Sequence, residues 1–205
     1  MWNPYSLENK KYSWHSIIAR EIWKNVLVLD VGCNTGYLGS IADSSCKFYW
    51  LEYMDEAIIE AKKIYVDVSK YNLENLITIP WEHKFDVIVF ADVLEHIRCP
   101  EDVLIFMQRY LKPNGKIIVS LPNIANWKTR LLLLFWNFDA TETGIMDKTH
   151  LHYYTFKKAN KLIVDSWYEV TRTYGWASFF GIFIRSFPFL RWLLSTNIIL
   201  ICKKC

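Results

Sequence analysis

The 205-residue sequence predicts an α/β protein built on a doubly wound, mostly parallel sheet. Three observations carry that expectation. Val26 to Val31 is a buried-strand run with an acid, Asp30, near its end; a turn with Gly32 and Gly36 follows, then a helix whose stripe starts at Leu38, Ile41 and Ala42. Strand-length apolar runs alternate along the chain with segments whose apolar residues recur at helical spacing. Phe85-Asp86-Val87-Ile88-Val89-Phe90 is almost continuously apolar, as a strand covered on both faces must be.

Each element has its own local reason. Ser13 is expected to cap a first helix through Trp14, Ile17, Ile18 and Ile22, part of an N-terminal helical cap over 1–25. That cap reads equally as a lid over a ligand site or as plain cover for the sheet. Phe48 to Leu51 is a second strand ending on Glu52, and Asp55 is expected to cap the helix of Ala57, Ile58, Ala61 and Tyr65. Val66 to Tyr71 is a weaker third strand, followed by Asn72-Leu73. After the fourth strand, Pro100 opens a helix with Glu101 and Asp102 in its first turn. Its buried stripe is Val103, Phe106, Met107, Tyr110 and Leu111, and Lys112-Pro113-Asn114-Gly115 stops it. The fifth strand, Lys116 to Leu121, ends at Pro122-Asn123. Leu131 to Trp136 is an apolar run too short to span a bilayer, and a polar segment from Asp139 to His152 follows. A helix through Phe156, Ala159, Leu162 and Ile163 precedes two last strands, Trp167 to Tyr174 and Thr196 to Cys202. Without repeats or a low-complexity linker, 1–205 reads as one domain, with 178–195 an apolar insertion between the last two strands.

Composition narrows the function classes. A net charge of +3 with no long block of like charge argues against nucleic acid. Cys202 and Cys205 form a lone C-x-x-C with no second pair to complete a zinc site, so they read as a strand cysteine and a tail. There is no basic-then-apolar leader, and Arg185, Pro188 and Arg191 interrupt the best candidate span, so a reducing cytoplasm is the expected setting. Aromatic residues make up 17%, with ten Trp, a usage far above the ordinary.

The glycine turn excludes two ligands. A phosphate loop needs Gly-Lys-Ser/Thr at its end, and none is present. A dinucleotide fingerprint would need glycines where Asn34 and Tyr37 stand. An acid at a strand end twenty residues beyond Gly32 suits a ribose held by its two hydroxyls, which places Glu52. Asp-Val-Gly-Cys-Asn-Thr-Gly (30–36) resembles motif I of class I S-adenosylmethionine (SAM) dependent methyltransferases. Phe-Asp-Val-Ile-Val-Phe-Ala-Asp-Val-Leu-Glu-His (85–96), Leu-Lys-Pro-Asn-Gly (111–115) and Leu-Pro-Asn-Ile-Ala-Asn-Trp (121–127) resemble the later motifs in the correct order. Gly144 to Leu151 is similar to a segment of the bacterial MetW and ubiquinone O-methyltransferase-like subgroup. The resemblance implies a Rossmann-like, seven-stranded sheet with an antiparallel strand near the edge, and SAM as cofactor. It implies a cofactor site of Asp30, Gly32, Asn34, Gly36, Tyr37, Glu52, Tyr53, Asn72, Leu73 and Asp92. Family members commonly carry an acid for the adenine amino group where Asn72 stands; an amide oxygen can accept the same bond.

If a helical turn follows the fourth strand, Asp92, Glu95 and His96 share one face. In ubiquinone-type enzymes the corresponding Glu/Asp-x-x-Glu-His can hold a divalent metal. A general base at His96, with Glu95 pinning a loop, is the favoured reading, and purely local backbone contacts are a third. His150 lies in the segment expected to build the acceptor pocket, with Asp147 placed to orient it. His96, His150 and Glu95 are therefore the catalytic candidates, and no metal ligand is assigned. The acceptor is expected to be a small molecule, glycan or lipid-linked compound methylated on oxygen. The alternative is a non-catalytic, MetW-like partner protein. The apolar stretch 178–195 is expected to be core, a homodimer contact or an interfacial anchor at a membrane.

Overall fold

The computed structural model describes residues 13–32, 36–177, 184 and 187–205. Seven strands form one sheet in the order β3-β2-β1-β4-β5-β7-β6: β1 Leu27–Val31, β2 Lys47–Glu52, β3 Asp67–Lys70, β4 Phe85–Ala91, β5 Leu111–Pro122, β6 Tyr168–Trp176 and β7 Asn197–Lys204. The first five run parallel, and β7 lies antiparallel between β5 and β6. The strand order reverses between β1 and β4, which opens a crevice at their carboxyl ends.

Helices cover both faces: α1 His15–Glu21, α2 Tyr37–Ile41, α3 Asp55–Ala61, α4 Pro100–Met107, α5 Trp127–Leu134, α6 Phe156–Asp165 and α7 Arg191–Leu194. One apolar layer joins α4 and α6 to Leu29, Phe85, Ile88, Phe90, Ile117 and Leu200. The other joins α1, α2 and α3 to Val28, Trp50, Val87, Val89, Ile118 and Ile201. Successive side chains of a strand point to opposite faces, so a central strand covered on both sides must be apolar throughout. Val87, Ile88, Val89 and Phe90 are all fully buried.

Several local expectations need correction. Trp14, not Ser13, occupies the N-cap of α1, and no side chain caps that helix. Ser13 contributes its carbonyl to Ser16 instead. Asp55 is the first residue of α3 rather than its cap, and its carboxylate pairs with Lys70 across exposed surface. The turn expected at 112–115 is absorbed into β5, where the pairing jumps from Phe85–Leu111 to Val87–Lys116. Leu131 to Leu134 is the end of α5, with Phe135 and Trp136 just beyond it; the helix start is fixed by Asn126, whose Oδ1 accepts from the amides of Lys128 and Thr129. Of the expected insertion at 178–195, residues 178–183 and 185–186 lie outside the described residues, and of the cap at 1–25, residues 1–12. Of the cap, α1 buries Ile18 and Ile22 against the sheet, while His15 sets its ring edge-on to Tyr37, 5.0 Å between centroids. It covers the sheet and touches the glycine turn.

Candidate functional site

The carboxyl ends of β1, β2 and β4 bring most of the candidate residues to one edge. Gly32 has φ +69°, and a Cβ there would lie 2.9 Å from Val93 Cγ2, so the strand can leave the sheet here only as glycine. Its amide donates to Leu51 O at 2.8 Å, so that N–H braces the turn against β2 and is spent. Gly36 (φ +72°) opens α2; a Cβ on it would lie 2.5 Å from the Tyr65 ring. Tyr37 is buried at the start of α2. Burial pushes its hydroxyl pKa up, and Ser13 moderates the rise. Asn34 lies outside the described residues.

Asp30 is fully buried, and its Oδ2 accepts from the Tyr65 hydroxyl at 2.7 Å. Glu52 ends β2 with Oε1 accepting from the amides of Tyr53 (2.7 Å) and Met54 (3.0 Å). Tyr53 is exposed beside it. Asn72 closes an Asx turn, its Oδ1 accepting from the Glu74 amide at 2.9 Å, while Leu73 packs on the core edge. Glycines at 32 and 36, a braced carboxylate at the next strand end and an exposed aromatic beside it suit the amino-acid end, ribose and base of an adenosyl cofactor.

The residues after β4 divide into two groups. Asp92 (φ +54°) turns back into the sheet, accepting from the Ser120 hydroxyl at 2.5 Å and from Asn197 Nδ2 at 3.0 Å. The expected shared face of Asp92, Glu95 and His96 is not formed, because the helical turn starts only at Leu94 and Asp92 precedes it. Burial raises the Asp92 carboxyl to about 6, its two hydrogen bonds opposing. Glu95, also buried, is raised well above the ordinary range by desolvation and then by the nearby charge of Asp92.

Glu95, His96 and His150 each offer a ligand atom, all within 4.8 Å of one another. The two imidazoles meet edge to face with centroids 4.8 Å apart. The partners fix their tautomers. His150 Nδ1 lies 3.2 Å from the Ile145 carbonyl, which only accepts, so Nδ1 carries the proton and Nε2 a lone pair. His96 Nδ1 faces the Thr149 carbonyl (3.3 Å) and the Thr149 hydroxyl (3.1 Å), whose own proton goes to Asp147 Oδ1 at 2.7 Å. His96 is thus also protonated on Nδ1 with Nε2 left as the base. Burial, and then the neighbouring His96, lower the His150 pKa. With its pKa lowered, His150 is neutral at pH 7, so its Nε2 at 3.9 Å from Glu95 Oε1 is not an ion pair. Asp147 does not orient His150 as expected; it orients Thr149, and through it His96. The Glu95 carbonyl ties the segment to the β4 end by accepting from the amides of Leu151 and His152.

Sequence reasoning missed Tyr65, Thr149, Ser120 and Asn197 as parts of this site. Only Thr149 had a local signal, an acid two residues before a hydroxyl. The other three act across 28 to 105 residues of chain.

A family model described as a methyltransferase domain matches residues 12–163. The ubiquinone biosynthesis O-methyltransferase of Bradyrhizobium diazoefficiens is 30% identical over 115 residues, 52% of this chain and 44% of that protein. The mitochondrial ubiquinone biosynthesis O-methyltransferase of Candida albicans is 26% identical over 146 residues, covering 63% of this chain and 44% of the relative. The chain thus spans less than half the length of these curated relatives. Among solved structures, magnesium protoporphyrin IX methyltransferase of Synechocystis with bound S-adenosylhomocysteine superposes with a TM-score of 0.63 at 16% identity, over 93% of this chain and 79% of that one. A SAM-dependent methyltransferase from Aquifex aeolicus gives 0.62 at 16% identity over 93% and 89%.

Proposed function

Because the chain belongs to the methyltransferase domain family, whose cofactor is S-adenosylmethionine, we propose that it transfers a methyl group to an oxygen of a small, amphiphilic acceptor. The observation that carries this reading is the convergence on one sheet edge of the cofactor turn and the Glu95–His96–His150 cluster. When bound, the cofactor supplies an electrophilic methyl group. Asp30, Gly32, Asn34, Gly36 and Tyr37 are the residues to hold its amino-acid end, Glu52 its ribose, and Tyr53, Asn72 and Leu73 its base. His150 Nε2 removes the acceptor's proton, because burial keeps this imidazole neutral at pH 7. His96, held by Thr149, lines the same space. Glu95, buried beside the two imidazoles, lines the same space. Asp92 holds the turn that presents them.

One observation favours a second reading of the same cluster. Two imidazoles and a carboxylate within 4.8 Å are a donor set for a first-row transition metal more than for magnesium. Chelation that abolishes turnover, with recovery on adding zinc or manganese, selects this reading.

The acceptor's amphiphilic character and a peripheral membrane contact rest on surface chemistry. Leu134, Phe135 and Trp136, at the end of α5, are 68%, 69% and 94% exposed. Residues 123–138 contain Lys128 and Arg130 and no acid, which suits an anionic bilayer over an acidic protein surface. Phe138 stacks edge-on to Tyr153, and Tyr153 to His150, so this apolar end adjoins the proposed acceptor site. In the stretch 178–195, where the sequence placed such a contact, the described Phe187, Phe189 and Trp192 are exposed as well. No helix among the described residues is long and apolar enough to cross a membrane.

Calorimetry with S-adenosylhomocysteine tests the core of the proposal. Glu52→Ala should weaken binding by about 1–3 kcal/mol, the worth of hydrogen bonds to a charged group. Undisturbed binding in Glu52→Ala and in Gly32→Arg places the cofactor elsewhere and overturns the reading. Turnover is then sought with labelled SAM against metabolite and lipid pools.

A further inference from the structure

We propose that Tyr65 is a positioning residue that sets the glycine turn for the amino-acid end of the cofactor. Sequence periodicity makes Tyr65 one more apolar residue on the third helix; its surroundings are different. Its backbone is pinned on two sides, the amide donating to Ala61 O at 3.0 Å and the next amide, Val66, to Phe48 O at 2.8 Å. Its ring is enclosed by Phe48 and Trp50, with centroids 5.5 Å and 5.3 Å away. The Cε2–Cζ side of the ring lies against Gly36, at the turn, and Gly39, in α2. A Cβ would fall 2.5 Å from its Cε2 at Gly36 and 3.1 Å from its Cζ at Gly39.

The hydroxyl spans the turn. It donates to Asp30 Oδ2 at 2.7 Å, at the end of β1, and accepts from the Gly39 amide at 3.3 Å, in the first turn of α2. One phenol therefore fixes both ends of the loop, and it reaches them from a neighbouring part of the sheet. A buried carboxylate accepting a short O–H bond is held in one rotamer, and the strand end it belongs to is held with it. The ribose anchor is built separately. Glu52 is braced by the amides of Tyr53 and Met54, on the other side of β2's end, with no contact to the phenol among its hydrogen bonds.

That separation gives the test its readout, and the inference rests on the proposed cofactor assignment. Tyr65→Phe keeps the ring against Gly36 and Gly39 and removes only the hydroxyl. By calorimetry, its Kd for S-adenosylhomocysteine should rise about tenfold, one hydrogen bond's worth, while its Kd for 5′-methylthioadenosine, which lacks the amino-acid end, changes less than about twofold. Gly39→Ala reaches the same clamp from the other side by pressing a methyl onto the ring, and should show the same selective loss. An unchanged Kd for S-adenosylhomocysteine, or an equal loss for both ligands, overturns the positioning role in favour of simple packing. Wild-type protein that binds neither ligand overturns the cofactor assignment itself, and this inference with it.

Discussion

At the scale of the residue, the site is governed by burial of groups that would rather be charged. Asp92 and Glu95 both titrate above the ordinary carboxylate range, chiefly from desolvation. A carboxyl raised in the folded state holds a proton that the unfolded chain has released. Its stabilisation is therefore complete below the unfolded carboxylate pKa, about 4, and is lost as pH rises through the folded value, which for Asp92 is about 6. The wild-type melting temperature should carry a falling component between about pH 4 and 6, and Asp92→Asn should flatten it; an unchanged slope in calorimetric scans removes Asp92 as its source. His150→Ala should lower kcat by about a hundredfold to ten-thousandfold, with the Kd for S-adenosylhomocysteine unchanged. The acid limb of the wild-type pH–rate profile should lie below the usual imidazole value, since burial depresses His150.

At the scale of the element, short segments are held by single polar residues at their ends. Asn126 is 1% exposed and makes four hydrogen bonds around the start of α5, two as acceptor from Lys128 and Thr129 and two as donor to Asn123 and Thr129. The helix it starts buries only Thr129, so packing does little to hold it. Asn126→Ala should cost about 1–2 kcal/mol in urea denaturation, the loss of a cap. Asn123 does comparable work beside it, donating to the carbonyls of Ser195 (2.8 Å) and Trp192 (3.2 Å), which joins α7 to the end of β5.

Across the whole molecule, the apolar layers on the two sheet faces are complete, yet large apolar side chains remain outside at the end of α5. A protein without an apolar surface to meet rarely presents adjacent Leu, Phe and Trp to water. Leu134→Ser/Phe135→Ser/Trp136→Ser should abolish co-flotation with phosphatidylserine-containing vesicles and leave the far-ultraviolet circular dichroism intact, because these side chains are exposed. Wild-type protein that stays at the bottom of the gradient sinks the membrane reading.

The sequence by itself determined the strands and their order of appearance, because those depend on local pattern. Val26 to Val31 and Phe85 to Phe90 are apolar but for one acid each whichever neighbours they meet, and Gly32 and Gly36 punctuate the turn after the first. It also singled out Glu52, Glu95, His96 and His150 as candidates, since acids just after strands and imidazoles anywhere in the chain are few. Tertiary structure alone decided what those groups touch. That Asp147 serves His96 through Thr149, that Asp92 faces Ser120 and Asn197, and that Tyr65 clasps Asp30 are facts of side chains meeting across strands. No periodicity encodes such meetings, because a hydrogen bond of 3 Å reports distance in space, and the chain between its partners is free to be any length.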